Sequence, residues 1–144
     1  MQVLLDDPFR APMRELVVFD TNIFVSYFWT LNKPNTIKTV VEQIRAKKVV
    51  PVYSDAIMSE YREVFGRQKF HFRQDEVLSF LKLIRDKGLC VTPTPTSVPF
   101  SDPSDKPFYD AAVAAGCWLV TGNKKHYPEE SFIVSPREYI ERAG

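Results

Sequence analysis

The apolar positions of this chain change period several times. Leu16 to Asp20 (LVVFD) is a β-branched and apolar run that ends on a carboxylate and reads as a strand. Residues 22–31 are apolar and aromatic and suit a short helix. After Pro34, the stretch TIKTVVEQIRAKK sets Ile37, Val40, Val41 and Ile44 at helical spacing. Val49 to Tyr53 reads as a second strand, and Pro51 within it predicts an edge position or an early end, because proline brings no N–H to a ladder. Ser54 is a good N-cap for the helix DAIMSEYREVFGR, which Gly66 closes. Residues 74–87 predict another helix, with Val77, Phe80, Leu81 and Ile84 on one face and Gly88 at its end. Leu89 to Thr92 predicts a strand, followed by a Pro/Thr/Ser loop from Pro93 to Pro103. A helix from about Asp105 to Gly116, a strand at 117–121, the turn GNKKHYP, a strand at 132–135 and a helix opening at Pro136 complete the pattern.

Strands separated by helices pair in parallel and carry helices on both faces of the sheet. The expectation is an α/β fold, a three-layer α/β/α domain around a central, mostly parallel sheet of four to five strands. Ligands of such sheets bind outside the carboxyl ends of the strands. There is no internal repeat and no linker, so residues 13–144 read as a single domain. Asp6-Asp7-Pro8 and Ala11-Pro12 break any regular pattern, so residues 1–12 read as an N-terminal extension.

Composition narrows this little. The 144 residues suit one core, with 44% hydrophobic and 26% charged residues. A net charge of +1 means that any nucleic-acid role must rest on local charge. No run approaches the roughly 18 apolar residues of a membrane span. The opening MQVLLDDPFRAP has two acids and no basic start, which argues against a signal peptide. Cys90 and Cys117 stand in apolar surroundings and read as buried free thiols, which suits a reducing cytoplasm.

Four residues stand where chemistry is expected. Asp20 ends the first strand and suits either a ligand or the N-cap of the next helix. Glu60, among Ala56, Ile57 and Val64, lies on a partly inward face or pairs at the surface with Arg62 or Arg67. Asp105 opens a helix, where an acid is also an ordinary cap, and Asp102 and Asp110 compete with it. Asn123 follows a strand, where turn chemistry explains it equally well. Topology joins them, since all four fall at one sheet edge. Carboxylates gathered without His or Cys prefer a hard cation, Mg2+ or Mn2+, which relieves their repulsion. Such a site suits phosphodiester hydrolysis.

The segments VVFDTNIFVS, SDAIMSEYREVFGR and SDPSDKPFYDAAVAAGCWLVTGNKKHYP together resemble the PIN-domain family over about residues 14–136. The likeness is to toxin components of toxin–antitoxin systems, VapC-like in type. It implies a metal-dependent endoribonuclease that leaves a 5′-phosphate. Carried over, the family's acids fall on Asp20, Glu60 and Asp105. Its fourth position falls on Asn123, where many relatives have Asp, and this loss of one charge favours one metal over two. Asn22 and Thr121 match polar residues that orient the site. The family also implies a homodimer and a small antitoxin protein that covers the site.

Local charge offers RNA contacts. Arg67, Lys69 and Arg73 interleave with Phe70, His71 and Phe72, and Lys124, Lys125 and His126 follow Asn123. Cations hold phosphates and aromatics stack exposed bases, although a core role for Phe70 and Phe72 fits too. Phe24, Tyr27, Phe28 and Trp29 suit the core first and a partner contact second. One rival is a catalytically weak or inactive PIN-like domain that binds RNA or a partner, which Asn123 supports. A phosphatase using Asp20 as nucleophile lacks its partner acid, since position 22 is Asn.

Overall fold

A computed structural model describes residues 14–30 and 34–142 of the chain. The N-terminal extension expected at 1–12 lies outside the described residues. Five strands form one sheet: β1 (Glu15–Phe19), β2 (Val49–Tyr53), β3 (Leu89–Cys90), β4 (Trp118–Val120) and β5 (Ile133–Val134). Their order is β3-β2-β1-β4-β5, and every pairing is parallel. The α-helices among the described residues are α1 (Thr21–Trp29), α2 (Thr36–Arg45), α3 (Asp55–Phe65), α4 (Gln74–Lys87), α5 (Lys106–Ala115) and α6 (Pro136–Arg142). This is the expected three-layer α/β/α domain.

The chain winds outward from β1 to β2 to β3, then returns across to β4 on the other side of β1. Right-handed crossovers therefore place α5 on the face opposite α2 and α4. Contacts agree, since α5 packs on β1, β2 and β4, while α2 packs on β2, α4 and α6. The direction of winding reverses between β1 and β4, and the register Phe19↔Val120 sets their carboxyl ends level.

Burial explains the strand sequences. Val17, Val18 and Phe19 are fully covered, as are Leu119 and Val120 beside them. This suits a central parallel pair, which is apolar on both faces. An aromatic cluster fills the layer between the sheet and the outer helices. Phe24 packs on Phe19 at 5.2 Å, on Tyr61 at 5.4 Å and on Phe80 at 4.7 Å between ring centroids. Phe24, Tyr27 and Phe28 are thus core residues, while Trp29 stands 62% exposed. No helix among the described residues is long and apolar enough to cross a membrane.

Three expectations need correction. Pro51 does not put β2 at the edge, because β2 pairs with both β1 and β3. Val91 N–H donates to Tyr53 O, so the odd-numbered groups of β2 face β3. The nitrogen of Pro51 points to that side before β3 begins its pairing at Val52↔Leu89, where no donor is needed. The strand expected at 89–92 is only Leu89–Cys90. Cys90 is exposed on this short outer strand rather than buried, while Cys117 is half-buried; both are free thiols.

Candidate active site

The turn from β1 into α1 puts Asp20 at the N-cap, yet its side chain makes no cap hydrogen bond. It turns instead toward β4. Thr121 Oγ1 donates to Asp20 Oδ2 at 2.7 Å, and Tyr127 Oη donates to the same oxygen at 2.9 Å. Asp20 is 6% exposed. Burial raises its pKa, and the Thr121 and Tyr127 hydroxyls oppose that rise. Burial, reinforced by the charge of Asp20, pushes the Tyr127 phenol far up, so it remains a donor.

Asp105 ends a 3-10 turn, Pro103–Asp105, just before α5. Asp102 Oδ1 accepts from Ser104 N at 2.9 Å and from Ser104 Oγ at 2.8 Å and so shapes this turn. Asp105 also makes no cap hydrogen bond. Its Oδ2 is buried without a hydrogen-bond partner. His126 Nδ1 stands 3.4 Å away, where an imidazolium would be attracted without a well-formed hydrogen bond. Burial first, then the charges of Asp20 and Asp102, raise Asp105 to about 6. Two carboxylates that feel each other in this way share one site.

Glu60 projects from α3 and is half-buried. Neither surface pairing expected for it occurs, because Arg67 binds Glu63 at 2.6 Å instead. Its pKa is raised by burial and by neighbouring Glu63. Tyr61 anchors this part of α3, donating from Oη to Phe19 O at 2.6 Å beside Asp20. Asn123 follows β4, and its N–H donates to Thr121 Oγ1 at 3.0 Å. Asn22 Oδ1 accepts from Gly122 N at 3.3 Å, tying α1 to the β4 turn. Asp20, Glu60, Asp105 and Asn123 line one cleft of about 370 Å3, together with Trp29 and Phe70. Asp110 is elsewhere, accepting from Thr96 N at 3.1 Å and Thr96 Oγ1 at 2.6 Å and pairing with Lys106.

The basic residues divide. His126 lines the cleft. Arg73 is paired with Asp75 at 2.8 Å and Lys124 with Glu138 at 3.0 Å, so both charges are locally answered. Lys69 lies 5.2 Å from the Phe70 ring centroid. Lys125 is exposed. Tyr127 was not foreseen as a site residue, since no motif marked it and only the folded turn after β4 brings it to Asp20. Its signal was a tyrosine closing the turn after a polar strand end.

A larger hollow of about 720 Å3 lies at the amino ends of β1 and β4, among Leu16, Val113, Trp118 and Phe132. Its carboxylate, Glu15, is taken up by Tyr139 and Arg142. The chemistry therefore belongs to the acidic cleft at the carboxyl ends, at the point where the winding reverses.

Does this cleft suit a divalent metal? Among the described residues, no three His, Cys, Asp or Glu side chains converge closely enough to hold an ion. Mg2+, however, keeps several waters and needs only one or two carboxylates. Asp20 offers an oxygen, Oδ1, that neither hydroxyl occupies, and Asp105 offers a buried Oδ2 with no bond. The donor set fits a hydrated hard cation.

A doubly wound parallel sheet with two acids in one cleft outside its reversal point defines an α/β/α domain with an acidic site. The PIN domain family matches residues 16–125, well over half of the chain, and the chain belongs to that family. PIN domains are generally nucleases and commonly metal-dependent, which supports a nuclease-type function here. No curated protein matches the chain.

Proposed function

We propose that this protein is a metal-dependent endoribonuclease, the toxin of a toxin–antitoxin pair. The observation that carries the reading is that Asp20 and Asp105 line one cleft, where Asp105 Oδ2 is buried with no hydrogen bond. Asp20 and Asp105 would hold Mg2+ or Mn2+ directly or through water, with Glu60 and Asn123 completing the shell. A cation bound there supplies a water of lowered pKa and a positive charge for the phosphate. Thr121 and Tyr127 fix the Asp20 carboxylate through Oδ2 and leave Oδ1 to neither hydroxyl. Asn22 and the Thr121 bridge to Asn123 N hold the β4 turn against α1. His126, 3.4 Å from Asp105, stands where a phosphate would also be met.

Cleavage of total RNA with Mg2+ or Mn2+, with mapped ends, tests this. Internal cuts bearing 5′-phosphates are expected, and they should vanish with chelator and in Asp20→Asn. Equal cutting by parent and variant would overturn the site assignment. Asn123, which removes one negative charge from the cleft, favours one other reading, a weak or inactive RNA- or partner-binding domain. RNA binding that is equal with and without Mg2+, and never followed by cleavage, would establish that reading.

The toxin role rests on the motif likeness to VapC-like chains. It entails a cytoplasmic homodimer and a small antitoxin protein seated over the acidic cleft. Growth arrest on expression, relieved by co-expressing the neighbouring open reading frame, is the expected result. Arrest that persists with that frame present would count against the pairing.

A further inference from the structure

Beside the acids, the same cleft has a wall that the hydrolytic reading leaves unused. Trp29 and Phe70 line it together with Asp20 and Glu60. Trp29 ends α1, directly after the buried Phe28, yet it stands 62% exposed. It is the only large aromatic among the exposed large hydrophobics of the described residues. Its ring is also held in place. It meets Phe70 edge to face at 5.4 Å and 70°, and Phe72 at 6.4 Å and 67°. Phe70 and Phe72 are themselves stacked at 5.2 Å and 9°, and Phe72 rests on the buried Phe28 at 5.0 Å. The indole is therefore an open aromatic surface on a braced support. Lys69 Nζ stands over the neighbouring Phe70 ring, with no ion pair among the described residues.

We infer that Trp29, braced by Phe70 and Phe72, is a base-stacking subsite that takes one unpaired base near the scissile phosphate onto the indole. This rests on the nuclease reading of the acidic cleft. Every base has a π-face, so an exposed, rigid aromatic takes up an unstacked nucleotide without strict sequence choice. A duplex keeps its bases stacked inside and offers nothing to this surface. An apolar segment of a protein partner would also fit a bare indole. Continuity with the carboxylates, and Lys69 over the adjoining Phe70 with no ion pair among the described residues, favour a nucleic-acid strand.

The chain has two tryptophans, and Trp118 lies at the opposite end of the sheet, so Trp118→Phe leaves Trp29 as the sole emitter. In that background Asp20→Asn prevents cutting, and chelator removes metal. Titration with a single-stranded oligoribonucleotide should quench Trp29. An oligomer of the same length with abasic sites, or a blunt duplex, should quench little. Anisotropy of the labelled strand should show roughly tenfold weaker binding for Trp29→Ala and near-parent binding for Trp29→Phe. Equal quenching by the abasic strand, or unchanged affinity in Trp29→Ala, would overturn the subsite. So would unchanged RNA affinity joined to loss of self-association, which would assign the surface to a second copy of the chain. Cleavage of the abasic strand by the parent with Mn2+ tests the acidic site separately, because it needs no base. Its failure alone would count against the nuclease reading and leave the stacking result standing.

Discussion

Asp20 occupies a helix N-cap and does not cap. Thr121 and Tyr127 both donate to its Oδ2, and they differ in origin, one from the end of β4 and the other from beyond the following turn. Removing the Tyr127 hydroxyl leaves Thr121 as its single hydroxyl donor. Tyr127→Phe should therefore raise the Asp20 pKa further, as a carbon-detected NMR titration of that carboxyl would show. Cleavage should fall about tenfold or more, in line with losing a hydrogen bond of about 1.5–3 kcal/mol to a charged group. An unmoved Asp20 titration would mean that Tyr127 only packs. Asp105 gives a prediction of opposite sign for stability. Its folded pKa is about 6, against an ordinary 3.8. Between those values the folded chain holds a proton that the unfolded chain has released, so stability falls as pH rises through that window. Asn cannot ionise. Asp105→Asn should match the parent near pH 4 and exceed it at pH 7 by on the order of 1 kcal/mol, or roughly 2–4 °C in Tm. Added Mn2+ should stabilise the parent and narrow that gap. A gap of the same size at pH 4 would show that repulsion is not its source.

The elements were legible to different degrees, for physical reasons. Helix α4 was readable to the residue, because a long amphipathic period is bounded by Gly88. Helix α3 was equally plain, since Ser54 Oγ accepts from Ile57 N at 3.2 Å as a cap should. Strand β2 was misread at Pro51, because a local rule about missing donors cannot know how short the neighbouring strand is. Cys90 was misread for the same reason, as β3 is an outer strand of two residues. The acids were legible only as a set. Each looked like a cap or a surface charge, and only the level ends of β1 and β4 bring Asp20 beside Thr121. Tyr127 depends on tertiary proximity that no spacing encodes, whereas the Glu63–Arg67 pair is an i,i+4 neighbour that spacing alone could have offered. The junction between α4 and β3 carries a test of its own. A Cβ at Gly88 would lie 2.4 Å from both Ile84 O and Pro51 O, and neither is a flexible side-chain end. Gly88→Ala should lower stability by about 1–3 kcal/mol, measured as a reduced urea midpoint at unchanged m-value. A variant as stable as the parent would mean that α4 leaves the sheet by another path.

At the scale of the whole molecule, charge decides how RNA would be held. A net charge of +1 provides little long-range attraction. Many cations are already answered locally: Arg67 by Glu63, Arg73 by Asp75, Lys82 by Asp86, Lys124 by Glu138. Such exposed pairs contribute little to stability, yet each one lowers the free positive charge offered to phosphate. Lys69 and Lys125, joined by the cleft residue His126 when it is protonated, are best placed to meet a strand, so only about two or three phosphates should be neutralised. For a single strand, each neutralised phosphate adds about 0.7 to the slope of log affinity against log salt. The Asp20→Asn variant should therefore show a slope of magnitude roughly 2 when an oligoribonucleotide is titrated between about 50 and 300 mM salt. A slope several times steeper would require the paired arginines to leave their carboxylates on binding. A shallow slope together with base-dependent quenching of Trp29 would instead mean that stacking and the acidic cleft supply most of the affinity. A nearly neutral domain would then select unpaired RNA by shape and stacking, with charge setting only its register on the strand.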